Sequence, residues 1–428
     1  MNFVKSLTSL GPRYMALFFG QAISHFGTYV AFITLPLLVL DIQRSTDSES
    51  TLDFAITYAL ETAPALLLGL FAGVVIDRIH LRPIMIATDL LRASAFFYLA
   101  ASYGTYGIGT VFLIAFIVGS MTTFFDGALY ALVPSIVPRR RLADANGFVA
   151  ASQQANFALG TLAAGIIAWA TGGPAVGLFI NGASFVLSAI FLNWVGRVVH
   201  HRTPEDERAP FFTEAANGIR YIWREPRLRI TTIAAAVPNF VMGFIEATVV
   251  VLFYVLLGAA NDFEIGVLVS AMGVGGIIGA LIASPVIEKI GLGRTMTVGM
   301  TIAGFLLFAV MFTTYGLVAL ALNAGWMVGV SLINVPLATI RQHYANEAML
   351  GRVISASRAV GWATLPIGAL VGGWLADTEE NLPLVARVFP VLLIATAIWL
   401  FTTVVWSDSF GPHFEGRHSK GREEIAGT

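Results

Sequence analysis

Apolar residues in this chain come in long, nearly unbroken blocks rather than at the spacing of a half-buried helix or strand. Twelve blocks stand out: Tyr14–Leu40, Phe54–Ile76, Ile84–Ala101, Ile108–Leu132, Gly147–Ala170, Ala175–Val195, Ile230–Leu257, Ile265–Ile287, Met296–Thr314, Leu317–Ile340, Val353–Ala376 and Leu384–Trp406. A helix needs roughly 20 apolar residues to cross the hydrocarbon of a bilayer. A helix on a soluble core needs only one apolar stripe. Each block is therefore predicted to be a transmembrane helix, and the chain an all-α membrane protein.

The polar connections test that division. Basic residues alternate from one connection to the next. Lys5 and Arg13 precede the first block, Arg78 and Arg82 follow the second, and Arg139, Arg140 and Arg141 follow the fourth. Seven Arg lie between Gly196 and Arg229, while Lys289 with Arg294, Arg341 with Arg352, and Arg417, Lys420 and Arg422 come after. Of the 25 Lys and Arg, only Arg44 and Arg387 fall in the intervening connections. A wrong helix count would scramble this alternation. The positive-inside rule then puts both termini and the long central connection in the cytoplasm. The first block is too long for a signal-peptide core and reads as a retained span.

Composition agrees and excludes other classes. The chain of 428 residues is 57% hydrophobic and 12% charged, about half the charge of an ordinary soluble chain. It has no cysteine, hence no disulfide framework or thiolate metal site, and no metal is expected. A net charge of −1 gives no nucleic-acid signal. No Walker loop appears, so no nucleotide or other cofactor is expected to drive the protein. "GVGGIIG" (Gly273–Gly279) lies inside a span with no preceding strand and reads as helix packing. "HRTPED" (His201–Asp206) matches an acyltransferase pattern but sits in a connection with no room for a catalytic domain.

The chain also repeats. "GVVIDRIHLRP" (Gly73–Pro83) is echoed by "SPVIEKIGLGR" (Ser284–Arg294), so that Glu288 matches Asp77 and Lys289 matches Arg78. Two six-helix halves in parallel orientation follow, the architecture of many transporters. The division is residues 1–198, a linker at 199–227 with a short amphipathic helix at the membrane surface, a second half at 228–407, and a tail at 408–428.

Six plus six spans with Gly-x-x-x-Asp-Arg between the second and third resemble the major facilitator superfamily. "TDLLRA" (Thr88–Ala93), "FFDGALYALVPSIVPRRRLADANGF" (Phe124–Phe148) and "LPIGALVGGWLAD" (Leu365–Asp377) resemble its drug-efflux branch, which includes macrolide and enterobactin exporters. That branch also resembles lysophospholipid transporters. The chain departs from the family pattern at His80 and Leu81 in the loop, and at Thr161 where antiporters carry a proline. The resemblance implies that the loop cluster latches the two halves together on the cytoplasmic side. Its members are Gly73, Asp77, Arg78, Arg82 and Asp126, with Asp89 and Arg92 nearby and Glu288 and Lys289 as the repeat's counterparts. Asp77 is expected to face the N-terminus of the eleventh span, and Arg78 and Arg82 to pair with Asp126. Asp89 and Arg92, three residues apart, share a helix face and can instead neutralise each other.

Ionisable groups within a span are costly and need a reason. Glu61, His25 and Glu246 lie near mid-span and are the candidates for proton coupling. Each has a plain alternative as a hydrogen-bonded packing residue. Uncharged polar residues are cheaper and are candidate lining for a substrate cavity: Gln21, Ser24, Gln153, Gln154, Asn156, Asn181, Asn239 and Asn323. The aromatic candidates are Tyr29, Tyr58, Trp326 and Trp362. Such a cavity suits bulky amphipathic or cationic compounds. The expected protein is a monomeric secondary transporter, not an enzyme, in the cytoplasmic (inner) membrane. Its partners would be lipid, a small-molecule substrate and protons, with drug-type efflux driven by the proton gradient. Two alternatives are a lysophospholipid or amphiphile facilitator without obligatory proton exchange and a non-transporting membrane sensor.

Overall fold

The structure is a computed structural model that describes residues 7–48, 50–69, 76, 80–138, 141–196, 211–345, 349–378 and 380–407. The calls on Gly73, Asp77, Arg78, Arg139, Arg140 and the tail at 408–428 lie outside the described residues. The helices of the first half are α1 (Pro12–Thr46), α2 (Thr51–Leu67), α3 (Leu81–Ala101), α4 (Ile108–Ile136), α5 (Leu142–Thr171) and α6 (Ala175–Val195). The linker carries α7 (Phe211–Arg224). The second half is α8 (Pro226–Val255), α9 (Asp262–Ile290), α10 (Leu292–Val310), α11 (Leu317–Tyr344), α12 (Leu350–Leu375) and α13 (Leu382–Phe401), followed by the short α14 (Val404–Ser407).

The described part of every predicted block is mainly helical, and ten of the helices are long and apolar enough to span a membrane. The other two fall short for visible reasons. The described part of α2 has 17 residues, and the apolar run of α5 is diluted by Gln153, Gln154 and Asn156. Helix ends run past the apolar blocks because backbone groups stay paired through the polar turns beyond the hydrocarbon. Thus α1 extends to Thr46, and Asp47 caps it in the left-handed conformation (φ 50°). The last block behaves differently. The Thr402 and Thr403 hydroxyls bond back to the carbonyls of Trp399 and Leu400, α13 stops at Phe401, and Trp406 stacks on Phe401 from a separate turn.

Two six-helix bundles repeat one packing scheme. In the first half α1 packs on α5 and α6, α3 on α4 and α6, and α2 on α4. In the second half α8 packs on α12 and α13, α10 on α11 and α13, and α9 on α11. The main contacts between halves, α2 with α12 and α9 with α5, are equivalent under the same repeat. Lipid tails are as apolar as the helices, so close approach rather than hydrophobic burial holds such bundles together. A methyl group added at Gly119 would lie 2.0 Å from the Glu61 carbonyl oxygen, so α4 and α2 touch backbone to backbone.

The core shows how the halves meet. The end carrying α7 is called the linker face, and the opposite end the far face. One apolar cluster crosses the halves toward the far face, with Leu38 and Phe54 joined to Val249, Leu252 and Ile265. Toward the linker face the cores are separate. Met85, Phe125 and Leu132 belong to one in the first half, Leu7 and Tyr14 to another there, and Ile222, Leu228 and Val353 to one in the second. Among the described residues no apolar cluster crosses between the halves at the linker face. The linker helix docks on the second half: a methyl at Gly218 would lie 2.7 Å from the Arg352 carbonyl oxygen, and the Tyr221 hydroxyl donates to the Tyr344 carbonyl.

Candidate functional site

At mid-bundle the halves are joined by a polar contact. The Tyr58 hydroxyl on α2 donates to Oε2 of Glu246 on α8 at 2.5 Å. Glu61 lies one turn along α2 from Tyr58 and so on the same face. Glu246 is the charged group bearing on Glu61, and Tyr29 and Tyr58 lie in its field as well. Two of the three proton-coupling candidates thus lie on helices joined across the seam by the Tyr58–Glu246 bond, with no ion pair to either among the described residues. The third stands apart. Nε2 of His25 is 3.4 Å from the Gln153 amide nitrogen, its Nδ1 is buried without a partner, and Arg92 is the charge that acts on it.

The described members of the expected linker-face latch have separate partners. Asp89 and Arg92 pair at 2.5 Å, nearly fully buried. The Arg92 guanidinium lies between the rings of Phe125 and Phe185, at 4.5 and 4.3 Å from their centroids, and reaches Thr122 Oγ1. This pair ties α3, α4 and α6 together inside the first half. Arg82 bonds to Asn193 on α6, not to Asp126. Asp126 instead lies in the fields of Arg92 and Arg358. Glu288 and Lys289 are exposed at the end of α9 with no ion pair among the described residues.

The cavity candidates divide by burial. Asn323 and Trp326 are both 1% exposed and bond to each other inside the second half. Asn181 is buried against Gly27 and Ser184, and Asn156 donates to the Ala22 carbonyl, so both are packing struts. Gln21 and Ser24 are buried in α1, with Gln21 Nε2 unpartnered. Tyr29, Tyr58, Gln153, Gln154 and Asn239 are half-buried, and Trp362 is exposed. Gln154 reaches the other half at Gly276, where an added methyl would meet its Nε2 at 2.8 Å.

Two groups escaped the sequence reading. One is Arg358, in the first turns of an apolar block, whose guanidinium donates to the Tyr130 hydroxyl across the halves and lies 4.9 Å over the Trp362 ring. A lone charge within a span was the available signal. The other is a rim at the far face. Ser50 Oγ on the first half donates to Oδ1 of Asp377 on the second at 2.9 Å, and the Leu52 N–H points to the same oxygen at 3.4 Å. Nearby, Arg44 lies 3.8 Å from Asp41 and 5.8 Å over the Tyr254 ring, and Tyr254 donates to Asp262. Tyr103 donates to Asp41 at 2.6 Å; burial, then the hydrogen bond to Asp41, pushes its phenol up to about 12, so it stays a donor. Beneath the rim the α5–α9 seam is closed by small residues. A methyl at Gly165 would lie 2.7 Å from the Gly266 Cα, and one at Gly273 would lie 2.8 Å from the Ala158 Cβ.

Comparison with known proteins places this architecture. Residues 17–364 match the family described as Major Facilitator Superfamily. The chain is 26% identical over 378 residues to the uncharacterized MFS-type transporter y4rN of Sinorhizobium fredii, covering 86% of this chain and 89% of that protein. It is 25% identical over 409 residues to the multidrug efflux pump Tap of Mycolicibacterium fortuitum, covering 90% and 95%. Among solved structures, a mutant of the nucleoside transporter NupG superposes with a TM-score of 0.74 at 10% identity, covering 91% of this chain and 99% of that one. A bacterial homologue of the human lysosomal transporter Spinster, inward-facing and unoccupied, gives a TM-score of 0.70 at 13% identity, covering 91% and 95%. With its two repeated six-helix bundles and a family match across most of its length, the chain belongs to the Major Facilitator Superfamily.

Proposed function

We propose that this protein is a proton-coupled exporter of bulky amphipathic small molecules, working by alternating access with its linker face in the cytoplasm. The observation that carries the reading is the Tyr58–Glu246 hydrogen bond between halves, with Glu61 beside it. A proton bound at this carboxyl pair removes the repulsion between the two groups and alters a contact that exists only while the halves are in register. Proton binding and the position of the halves are then linked, as coupling requires. Entry of a proton from the far side favours return of the site to the linker face, and its release there resets the site for substrate. Alternation occurs in the cytoplasmic membrane, by a monomer, with the proton gradient in place of any cofactor. The substrate class follows from half-buried Tyr29 and Tyr58 and exposed Trp362, and from the multidrug efflux pumps named Tap among the relatives.

The test uses inside-out vesicles with an imposed proton gradient and a fluorescent amphipathic dye. Glu61→Gln and Glu246→Gln are each expected to abolish gradient-driven accumulation while leaving downhill exchange. Accumulation by Glu61→Gln equal to the parent's would refute the coupling assignment. Transport by the parent that ignores a collapsed gradient would point to the amphiphile facilitator instead.

A further inference from the structure

The seam between the halves near the linker face carries more positive charge than its described surroundings answer. Arg341, in the last turn of α11, is half-buried, and its Nε is buried with no hydrogen-bond partner. Its guanidinium makes no ion pair among the described residues. The charge that bears on it is a second guanidinium, Arg358 of α12. Arg358 is held by neutral groups, the hydroxyl and ring of Tyr130 on α4 and the ring of Trp362 one turn along its own helix. Asp126, one turn from Tyr130 on α4, is the acid that acts on Arg358, and it is shared with Arg92.

A helix C-terminus favours one cation, and topology favours cations on this face. Neither accounts for a half-buried guanidinium whose Nε is buried without a hydrogen bond, with a second guanidinium in the first turns of the helix that follows. Desolvated like charges are costly unless something neutralises them. Guanidinium forks match carboxylate and phosphate oxygens, and aromatic rings accept an apolar body beside them. We infer that Arg341 and Arg358 form an anion subsite at the seam near the linker face, and that the transported molecule is an amphiphile with a carboxylate or phosphate group. That group sits between the guanidiniums while its apolar part lies against Trp362 and Tyr130. Because Arg358 already reaches Tyr130 across the halves, neutralising the pair also removes a repulsion that opposes closure at this face. This deepens the exporter reading and rests on it for the word "transported"; the binding site itself does not.

The experiment uses the full chain in lipid nanodiscs and three probes with one apolar body: pyrenebutyrate, pyrenebutanol and a pyrenebutyl trimethylammonium. Binding is read by energy transfer from protein tryptophan to pyrene. The parent is expected to prefer the carboxylate. Arg341→Gln and Arg358→Gln are each expected to weaken it tenfold or more, the size of a lost charge-assisted hydrogen bond, and to leave the alcohol within twofold. Arg358→Lys, which keeps the charge and loses the fork, is expected to fall between. Equal loss for all three probes would mean a merely structural role and overturns the inference, as does carboxylate binding unchanged in both variants. Competition identifies the anion's source. Displacement by hexadecyl phosphate alone assigns a lipid headgroup, displacement by short soluble carboxylates assigns a free acid, and displacement by neither overturns the site. Vesicle transport of pyrenebutyrate is measured separately. Selective binding without transport would keep the subsite and sink the exporter reading.

Discussion

The far-face rim allows a quantitative prediction. Asp377 accepts from Ser50 Oγ at 2.9 Å and faces the Leu52 N–H at 3.4 Å, so a single side chain of the second half holds the start of α2. A hydrogen bond to a charged group contributes about 1.5–3 kcal/mol. Asp377 is half-buried and its second contact is long, so about 2 kcal/mol is a fair figure for both together. The contacts exist only while the far face is shut. Asp377→Ala should therefore raise the far-open to far-shut ratio about 30-fold. The chain has no cysteine, so an introduced thiol reports alone. Thr51→Cys places it at a buried position beside Gly373 of α12, where it is covered when the halves close. In right-side-out vesicles a membrane-impermeant thiol reagent should label this variant about 30-fold faster once Asp377→Ala is added. Asp377→Asn, which keeps one acceptor oxygen, should give a smaller gain. Equal rates within twofold, with insertion intact, would refute the reasoning, because the rim would then contribute nothing to closure.

Three further outcomes follow. Asp89→Ala leaves Arg92 buried without its partner and should cost about 3–5 kcal/mol, seen as a large drop in thermal midpoint in detergent; the joint change of both residues to Leu should recover most of it. Gly165→Leu inserts side-chain atoms where even a methyl lies 2.7 Å from Gly266, and should cost about 1–3 kcal/mol of far-face closure, read as faster labelling at Thr51→Cys. Tyr254→Phe keeps the ring under Arg44 and loses the bond to Asp262, so it should change labelling only a few-fold, consistent with about 1 kcal/mol.

The spans were legible because hydrophobic length is a one-dimensional property, and the start of α6 at Ala175 and of α11 at Leu317 coincide with their blocks. Which polar residue faces which neighbour was not. Asn156 and Asn181 look alike as in-span amides until α1 is seen against both, and Trp326 looked like a cavity aromatic until Asn323 took its N–H. Tyr58 and Glu246 are 188 residues apart, and only the meeting of α2 with α8 joins them. The far-face rim was not legible because its partners lie in different connections, as Asp377 and Ser50 do. Arg358 was passed over because the block around it is apolar enough to span without comment.

The α5–α9 seam has a mechanical consequence. From Gly165 against Gly266 to Gln154 against Gly276 the two helices meet through glycine and alanine for about 17 Å, at 1.5 Å of rise per residue. Glycine and alanine at the closest contacts leave only shallow ridges to lift out of grooves, so one helix can roll or slide on the other with few rotamer changes. The seam then acts as a bearing with little friction. Under alternating access, opening the far face would break the polar contacts at the rim and part the apolar cluster that crosses the halves, so its speed would depend on ionic conditions as well as on apolar burial.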